Sequence, residues 1–159
     1  MPTPEELTER FWEAVKADRT MMVGVPDVEG GHMRPMTAVT EGDAGPIWFF
    51  TSRQTDLAGD ALGGRAAVAT MVDKGHGIFA CVHGRLMPEP DREMIDRLWN
   101  PFIAAWYEGK DDPDIALLRF EPGEAEIWEN GSSLMAGIRM LFGSDPKEDY
   151  DDKVAKVRL

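Results

Sequence analysis

The sequence contains few residues from which a metal or disulfide centre could be built. Cys81 is the only cysteine, which excludes a disulfide framework and a cysteine-ligated metal cluster. The three histidines, His32, His76 and His83, lack metal-ligand spacing, and the chain has no nucleophile elbow, glycine-rich phosphate loop or zinc signature. Because Cys81 lies in an apolar strand, we interpret it as a core residue rather than a nucleophile. We predict no metal site and identify no catalytic residue.

Positive charge is also scarce. The chain has 17 lysine and arginine residues against 29 aspartate and glutamate residues, giving a net charge of −12. Nucleic acids and anionic membranes require a basic surface, so neither is an expected partner. No apolar run approaches the length of a membrane span, and no signal-peptide pattern opens the chain. We therefore expect a cytoplasmic protein.

The 159 residues suit one domain. Apolar periodicity predicts a helix over residues 4–16, a short helix over 55–62 and an interrupted helix over 91–107. It also predicts about seven short strands, the last two joined by a turn at Pro122-Gly123. Their ranges are 20–25, 32–39, 47–51, 66–72, 78–87, 115–120 and 124–128. Many strands with few helices indicate a mainly β protein, a closed or nearly closed antiparallel barrel. We expect one domain over residues 1–143 and a polar C-terminal tail over 144–159.

A candidate site lies where the strand over 47–51 ends. The aromatic residues of that strand give way to Thr51-Ser52-Arg53-Gln54-Thr55 at a helix start, and Arg34 lies on the preceding strand. Hydroxyls, free N–H groups and a cation suit an anion, and the aromatic residues suit a flat ring. Flavin mononucleotide (FMN) combines both features. In the alternative interpretation Thr51 or Ser52 only caps the helix, since Thr51 and Gln54 match a capping box. The two interpretations are compatible.

Trp128 is the second candidate. Alternation along residues 124–128 places it on the same face as Glu124 and Glu126, opposite Ala125 and Ile127. A large aromatic side chain on a polar face is typical of a ligand contact or an interface. Ordinary packing at a sheet edge explains it equally well.

Several motifs occur in a specific order between about residue 7 and residue 133. They are Arg34-Pro35-Met36, Trp48-Phe49-Phe50-Thr51, Leu98-Trp99-Asn100-Pro101, Trp106, Asp112-Pro113, Leu117-Leu118-Arg119 and Ala125-Glu126-Ile127-Trp128. This order resembles the pyridoxamine 5′-phosphate oxidase-like proteins, and within them the small general stress proteins. The resemblance implies an antiparallel Greek-key split β-barrel of the FMN-binding type. It also implies a homodimer with FMN in clefts between the subunits.

The resemblance further implies a set of flavin-binding residues. They are Arg34, Met36 and Thr37 along the isoalloxazine ring, Phe49, Phe50 and Thr51 along the ring and ribityl chain, Ser52, Arg53 and Thr55 near the phosphate, and Trp128 reaching across from the other subunit.

The sequence departs from the family pattern at two points. Leu57 occupies the position where the family's phosphate segment usually carries a lysine, so we expect Leu57→Lys to tighten FMN binding. The C-terminal basic segment of true pyridoxamine phosphate oxidases is not recognisable, so we do not expect vitamin B6 synthesis.

The function that we expect is that of an FMN-binding flavoprotein of the general stress type, with a flavin-dependent redox reaction on an unidentified small molecule. The alternative is a dimeric, non-enzymatic barrel with weak or lost flavin binding. A third hypothesis is that the cleft holds another flat cofactor, such as a deazaflavin or haem. Haem is the weaker of the two candidates because no histidine is clearly placed as an axial ligand.

Overall fold

The computed structural model describes residues 2–130 and 154–159. The elements, in chain order, are α1 Pro4–Asp18, β1 Thr20–Gly24, a 3₁₀ turn Glu29–Gly31, β2 Met33–Val39, β3 Ile47–Ser52, α2 Asp56–Ala61, β4 Arg65–Val72, β5 Ile78–Pro88, α3 Glu93–Leu98, α4 Pro101–Ala104, β6 Ile115–Glu129 and β7 Val154–Arg158. Among these described helices, none is long and apolar enough to cross a membrane.

Six strands close into an antiparallel barrel. They follow the order β3-β2-β1-β4-β5-β6, and β6 pairs back with β3. The spatial order β4-β1-β2-β3 is a Greek key. The predicted mainly β architecture with flanking helices is therefore confirmed.

The predicted turn at Pro122-Gly123 is wrong, because β6 runs without a break through both residues. Pro122 lies opposite Gly84 of β5, next to a register shift between Val82 and Gly84. A proline is tolerated at such a bulge because the regular ladder is already interrupted there. A Cβ atom on Gly84 would lie 2.2 Å from the carbonyl oxygen of Glu121, so only glycine permits this close approach.

The strands bury two apolar clusters on opposite faces. The barrel interior holds Ile47 and Phe49 of β3, closed at one side by Leu7, Phe11 and other residues of α1. The second cluster lies on the outer face of β3 and β6 and is covered by α3. It comprises Trp48, Met94, Ile95, Leu98, Ile115 and Leu117. Alternation along β3 and β6 thus directs successive side chains into different clusters.

The predicted helix over 91–107 forms two short helices instead, interrupted where expected. Oδ1 of Asn100 accepts hydrogen bonds from the backbone N–H groups of Phe102 and Ile103, at 2.9 and 3.0 Å, and so caps α4.

Part of the region predicted as a polar tail belongs to the sheet. Val154–Arg158 pairs with the second half of β6, with Lys156 opposite Glu126 and Arg158 opposite Glu124. The intervening Ala155 and Val157 pack against the barrel core. Alternating apolar and basic residues therefore suit a strand beside an acidic neighbour. Residues 131–153, which include the expected boundary at residue 143, lie outside the described residues.

Candidate functional site

The candidate site lies where β2 and β3 diverge. Their ladder consists of Ala38 opposite Phe49 and Val39 opposite Trp48, and in the described structure it extends no further. Arg34 on β2 is aligned instead with Val23 on β1, while Thr51 on β3 is aligned with Ala116 on β6. The β2–β3 ladder is therefore interrupted at this end of the barrel, next to the start of α2, and we refer to this interruption as the opening.

The hydroxyl groups at the end of β3 form a connected cluster. The Thr55 hydroxyl donates a 2.8 Å hydrogen bond to the backbone oxygen of Ser52 and lies 3.2 Å from the Thr51 hydroxyl. Because a hydroxyl has a single hydrogen, Thr51 is the donor to Thr55. The Thr55 hydroxyl also accepts from the N–H of Ala58 at 3.3 Å, so Thr55 is the N-cap of α2. The predicted cap at Thr51 or Ser52 is wrong.

Arg34 reaches this cluster from the neighbouring strand. Its Nη2 atom lies 3.6 Å from Oδ2 of Asp56, the first residue of α2. The Arg34 side chain is 23% exposed and that of Asp56 is 71% exposed. The structure therefore brings Arg34, Thr51, Ser52 and Thr55 to one end of the barrel, together with a carboxylate.

Ser52 and Arg53 are fixed to the chain that precedes β6. The Ser52 hydroxyl donates a 2.8 Å hydrogen bond to Oδ1 of Asp114. The backbone N–H of Arg53 donates to the backbone oxygen of Asp114. The Nε atom of Arg53 donates to the backbone oxygen of Ile115 at 3.2 Å. The sequence interpretation did not identify Asp114 as part of the site, because it is 62 residues away from Ser52.

The two phenylalanines of β3 face opposite ways. Phe49 is fully buried in the barrel interior, with its ring 6.4 Å from that of Phe120. Phe50 lies on the outer face, 6.3 Å from the ring of Trp99 and 6.4 Å from that of Tyr107. The structure thus separates this predicted pair, and the Phe49 side chain has no surface to offer a ligand.

Alternation also divides the predicted ring-binding residues of β2. Met36 shares the face of Arg34 and packs, half-buried, against the barrel core. Thr37 is exposed on the opposite face.

Leu57 does not occupy the position that we inferred from the family pattern. It is buried in the barrel core with Ala61, on the inner side of α2. A lysine at residue 57 would start from this buried position rather than from the surface. The interpretation of Leu57 as a missing phosphate contact is therefore wrong.

Trp128 lies elsewhere on the barrel. It is half-buried on β6, opposite Phe79 of β5 and Val154 of β7. Residue Ala116, which pairs with Thr51, is near the other end of the same strand.

A groove of about 450 Å³ lies on the outer side of β5, β6 and β7. Its lining comprises Cys81, His83, Glu124, Ala125, Glu126, Lys156, Val157 and Arg158. Cys81 is half-buried there rather than in the core, and its Sγ lies 3.9 Å from Nε2 of His83. Burial, reinforced by Glu126, raises the pKa of the Cys81 thiol, so the thiol is not an activated nucleophile. The described residues form no cluster of three or more metal-ligating side chains.

Comparison with known proteins gives consistent matches. Residues 6–151 match the family described as pyridoxamine 5′-phosphate oxidase like. The structure of a general stress FMN/FAD binding protein from Xanthomonas citri is 53% identical, covers 81% of this chain and 92% of that protein, and superposes with a TM-score of 0.77.

Two further matches are described as general stress protein 26. A structure from Jannaschia sp. CCS1 is 32% identical, covers 99% of this chain and 100% of that one, and has a TM-score of 0.80. The protein from Bacillus subtilis (strain 168) is 25% identical over 59 residues, which are 37% of this chain. The match spans 42% of that relative's length.

Proposed function

This chain belongs to the pyridoxamine 5′-phosphate oxidase-like family, and from that premise we propose that it binds FMN at the opening between β2 and β3. The observation that carries the proposal is the convergence of Arg34 with the hydroxyls of Thr51 and Thr55 at that opening. The general stress protein from Xanthomonas citri, described as FMN/FAD binding, supports the choice of a flavin.

The chemistry of these side chains fits a phosphorylated flavin. A guanidinium group pairs with phosphate through two parallel hydrogen bonds. The hydroxyl hydrogens of Thr51 and Ser52 already donate within the protein, but their oxygens can each accept a hydrogen bond from a ribityl hydroxyl. The resemblance places Arg34 along the isoalloxazine ring, but the proposal assigns it to the phosphate, because it lies beside Asp56 at the start of α2. Arg53 holds the phosphate with it, and Thr51 and Ser52 contact the ribityl chain. Of the aromatic residues of β3, only Phe50 borders a surface, so Phe49 acts as support from behind the strand.

When bound, FMN supplies hydride and electron transfer, so the proposal includes a redox reaction on a small molecule. The proposal assigns no catalytic residue, because no side chain of the site is an evident general acid or base. The chain's own contribution is to bind and orient the flavin.

The proposal includes a homodimer. On the outer face of the barrel, Met22 of β1 and Val72 of β4 are exposed large apolar side chains. Val72 lies opposite Phe79, which in turn lies opposite Trp128. A row of apolar side chains on a sheet face that no other described element covers is typical of an interface. A second copy on this face would bring its own Trp128 toward its partner.

The competing function is a barrel that retains the fold but binds flavin weakly. The carboxylate of Asp56 beside Arg34 and the net charge of −12 favour this alternative, since both oppose a phosphate.

A spectrum of the purified protein and an FMN titration separate the two functions. We expect flavin absorbance in the protein as purified, or quenching of FMN fluorescence on titration into protein freed of flavin. A colourless preparation that leaves the fluorescence of added FMN unchanged would exclude FMN binding and favour the non-enzymatic barrel.

A further inference from the structure

We infer that Asp56 is a specificity-determining residue of the proposed site: its carboxylate competes with a flavin phosphate for the guanidinium of Arg34. The inference rests on the proposed function and concerns how strongly the site distinguishes flavins with a phosphate from flavins without one.

Asp56 lies next to the guanidinium group that an incoming phosphate would bind. Its Oδ2 lies 3.6 Å from Nη2 of Arg34, close enough for an ion pair. Thr55, the preceding residue, carries the hydroxyl that meets Thr51. The carboxylate thus lies beside the guanidinium that the proposal assigns to the phosphate.

The two partners differ in how firmly they are held. Arg34 extends from a strand and is 23% exposed, whereas Asp56 starts a six-residue helix and is 71% exposed. An exposed carboxylate can rotate toward the solvent at little cost in free energy, so phosphate can replace it at Arg34. The aspartate would still lie near the bound dianion and repel it.

This repulsion depends on the charge of the ligand. Riboflavin has the same ring and ribityl chain as FMN but no phosphate, so it neither needs Arg34 nor is repelled by Asp56. Asp56 should therefore lower the affinity for FMN and leave the affinity for riboflavin unchanged.

The test compares Asp56→Asn with Asp60→Asn in the full chain. Asp60 lies one turn further along α2, and its replacement changes the net charge by the same single unit. The dissociation constants of FMN and riboflavin are measured by fluorescence titration at low and high salt. For Asp56→Asn we expect FMN binding about three- to fivefold tighter at low salt, the range of an exposed ion pair. The gain should shrink at high salt, because the repulsion is screened.

Riboflavin binding should be unchanged in Asp56→Asn, and both ligands should be unaffected by Asp60→Asn. An unchanged or weaker FMN affinity in Asp56→Asn would overturn the role of Asp56, as would an equal gain for riboflavin or for Asp60→Asn. If neither flavin binds to any of the proteins, the proposed function itself fails. That outcome differs from one in which FMN binds equally to all three. Thermal denaturation of each variant verifies that the fold is retained.

Discussion

The indole N–H of Trp48 donates a 2.8 Å hydrogen bond to Oε2 of Glu89, whose side chain is only 4% exposed. The same carboxylate oxygen lies 3.6 Å from Nη1 of Arg119, and Oε1 accepts from the backbone N–H of Asp91. One acidic side chain thus ties β3 to β6 and to the chain that follows β5. Because Trp48 belongs to the second apolar cluster, this carboxylate helps to hold α3 against the barrel.

We predict that Glu89→Ala lowers the free energy of unfolding by about 1–3 kcal/mol, since the Trp48 indole loses its acceptor in a buried position. Glu89→Gln should cost less, because an amide oxygen can still accept from Trp48. The matched control is Glu121→Ala, which removes a half-exposed carboxylate 3.2 Å from the same arginine and should cost less than about 1 kcal/mol. Urea denaturation measures the free energy of unfolding of all three variants. An equal loss of stability in Glu89→Ala and Glu121→Ala would contradict the buried role of Glu89.

We predict that Leu57→Lys destabilises the protein and does not tighten FMN binding. The Leu57 side chain is fully buried in the barrel core, so lysine must either bury a charge or pull α2 away from the barrel. A loss of about 2–5 kcal/mol, as for other disruptions of a buried leucine, is expected. Leu57→Met is the control and should cost less than about 1.5 kcal/mol. A Leu57→Lys protein of unchanged melting temperature and higher FMN affinity would show that the side chain faces the phosphate after all.

These cases show which parts of the structure the sequence could predict. Alternation identified the strands and the faces of Ile78, Ala80 and Val82, because a period of two is set locally by the pleat. The side of α2 that Leu57 faces was not predictable, since six residues carry too little periodicity.

The contacts that sequence reasoning missed depend on distant parts of the chain. Ser52 finds its partner Asp114 only because β3 and β6 are adjacent in the barrel. Pro122 and Gly123 are normally turn residues, and it is the bulge at Gly84 that lets β6 continue through them. The clustering of Arg34 with the hydroxyls of Thr51 and Thr55 was predictable, because it needs only two neighbouring strands and a helix start.

We predict a tyrosine-dependent loss of stability at alkaline pH. Burial, reinforced by Asp114 and Asp112, raises the pKa of Tyr107 from 10 to about 12. In the unfolded chain the phenol ionises near pH 10 and releases its proton, while in the folded protein it stays protonated. The stability contribution of the neutral phenol is therefore complete below pH 10 and falls as the pH rises from 10 to 12. Denaturation midpoints between pH 9 and 12 should fall less steeply for Tyr107→Phe; parallel curves for the two proteins would refute this assignment.

We predict that Arg34→Ala weakens FMN binding about ten- to a hundredfold, corresponding to ~1.5–3 kcal/mol for a charge-assisted hydrogen bond. Riboflavin affinity should change little, because riboflavin has no phosphate. Arg65→Ala, on β4, removes one positive charge as well and serves as the control. The fold should survive, because Arg34 is a partly exposed side chain that belongs to neither apolar cluster. Fluorescence titration gives the flavin affinities, and a melting curve gives the stability of the fold. Equal FMN affinity in Arg34→Ala and the parent would remove Arg34 from the site.

We predict that the protein is a homodimer in which Trp128 of one subunit contacts the flavin held by Arg34 of the other. Light scattering at micromolar concentration tests the dimer, and a monomer would contradict it. Trp128→Ala should then weaken both FMN and riboflavin binding, since an indole contacts the ring rather than the phosphate. Phe102→Ala, which removes an exposed aromatic side chain on α4, is the control and should leave both affinities unchanged.

Mixed dimers separate a contact across the interface from one within a subunit. Differently tagged Arg34→Ala and Trp128→Ala chains are unfolded together, refolded and purified through both tags. If Trp128 acts across the interface, one of the two sites in each mixed dimer combines an intact Arg34 with an intact Trp128, and the other site lacks both. A titration should then show half of the sites with parental affinity and the other half with very weak binding. If both residues serve the site of their own subunit, every site carries one defect and no site regains parental affinity. Parental affinity at half of the sites would therefore support the shared cleft. If no site of a verified mixed dimer has parental affinity, Trp128 lies outside the partner's pocket.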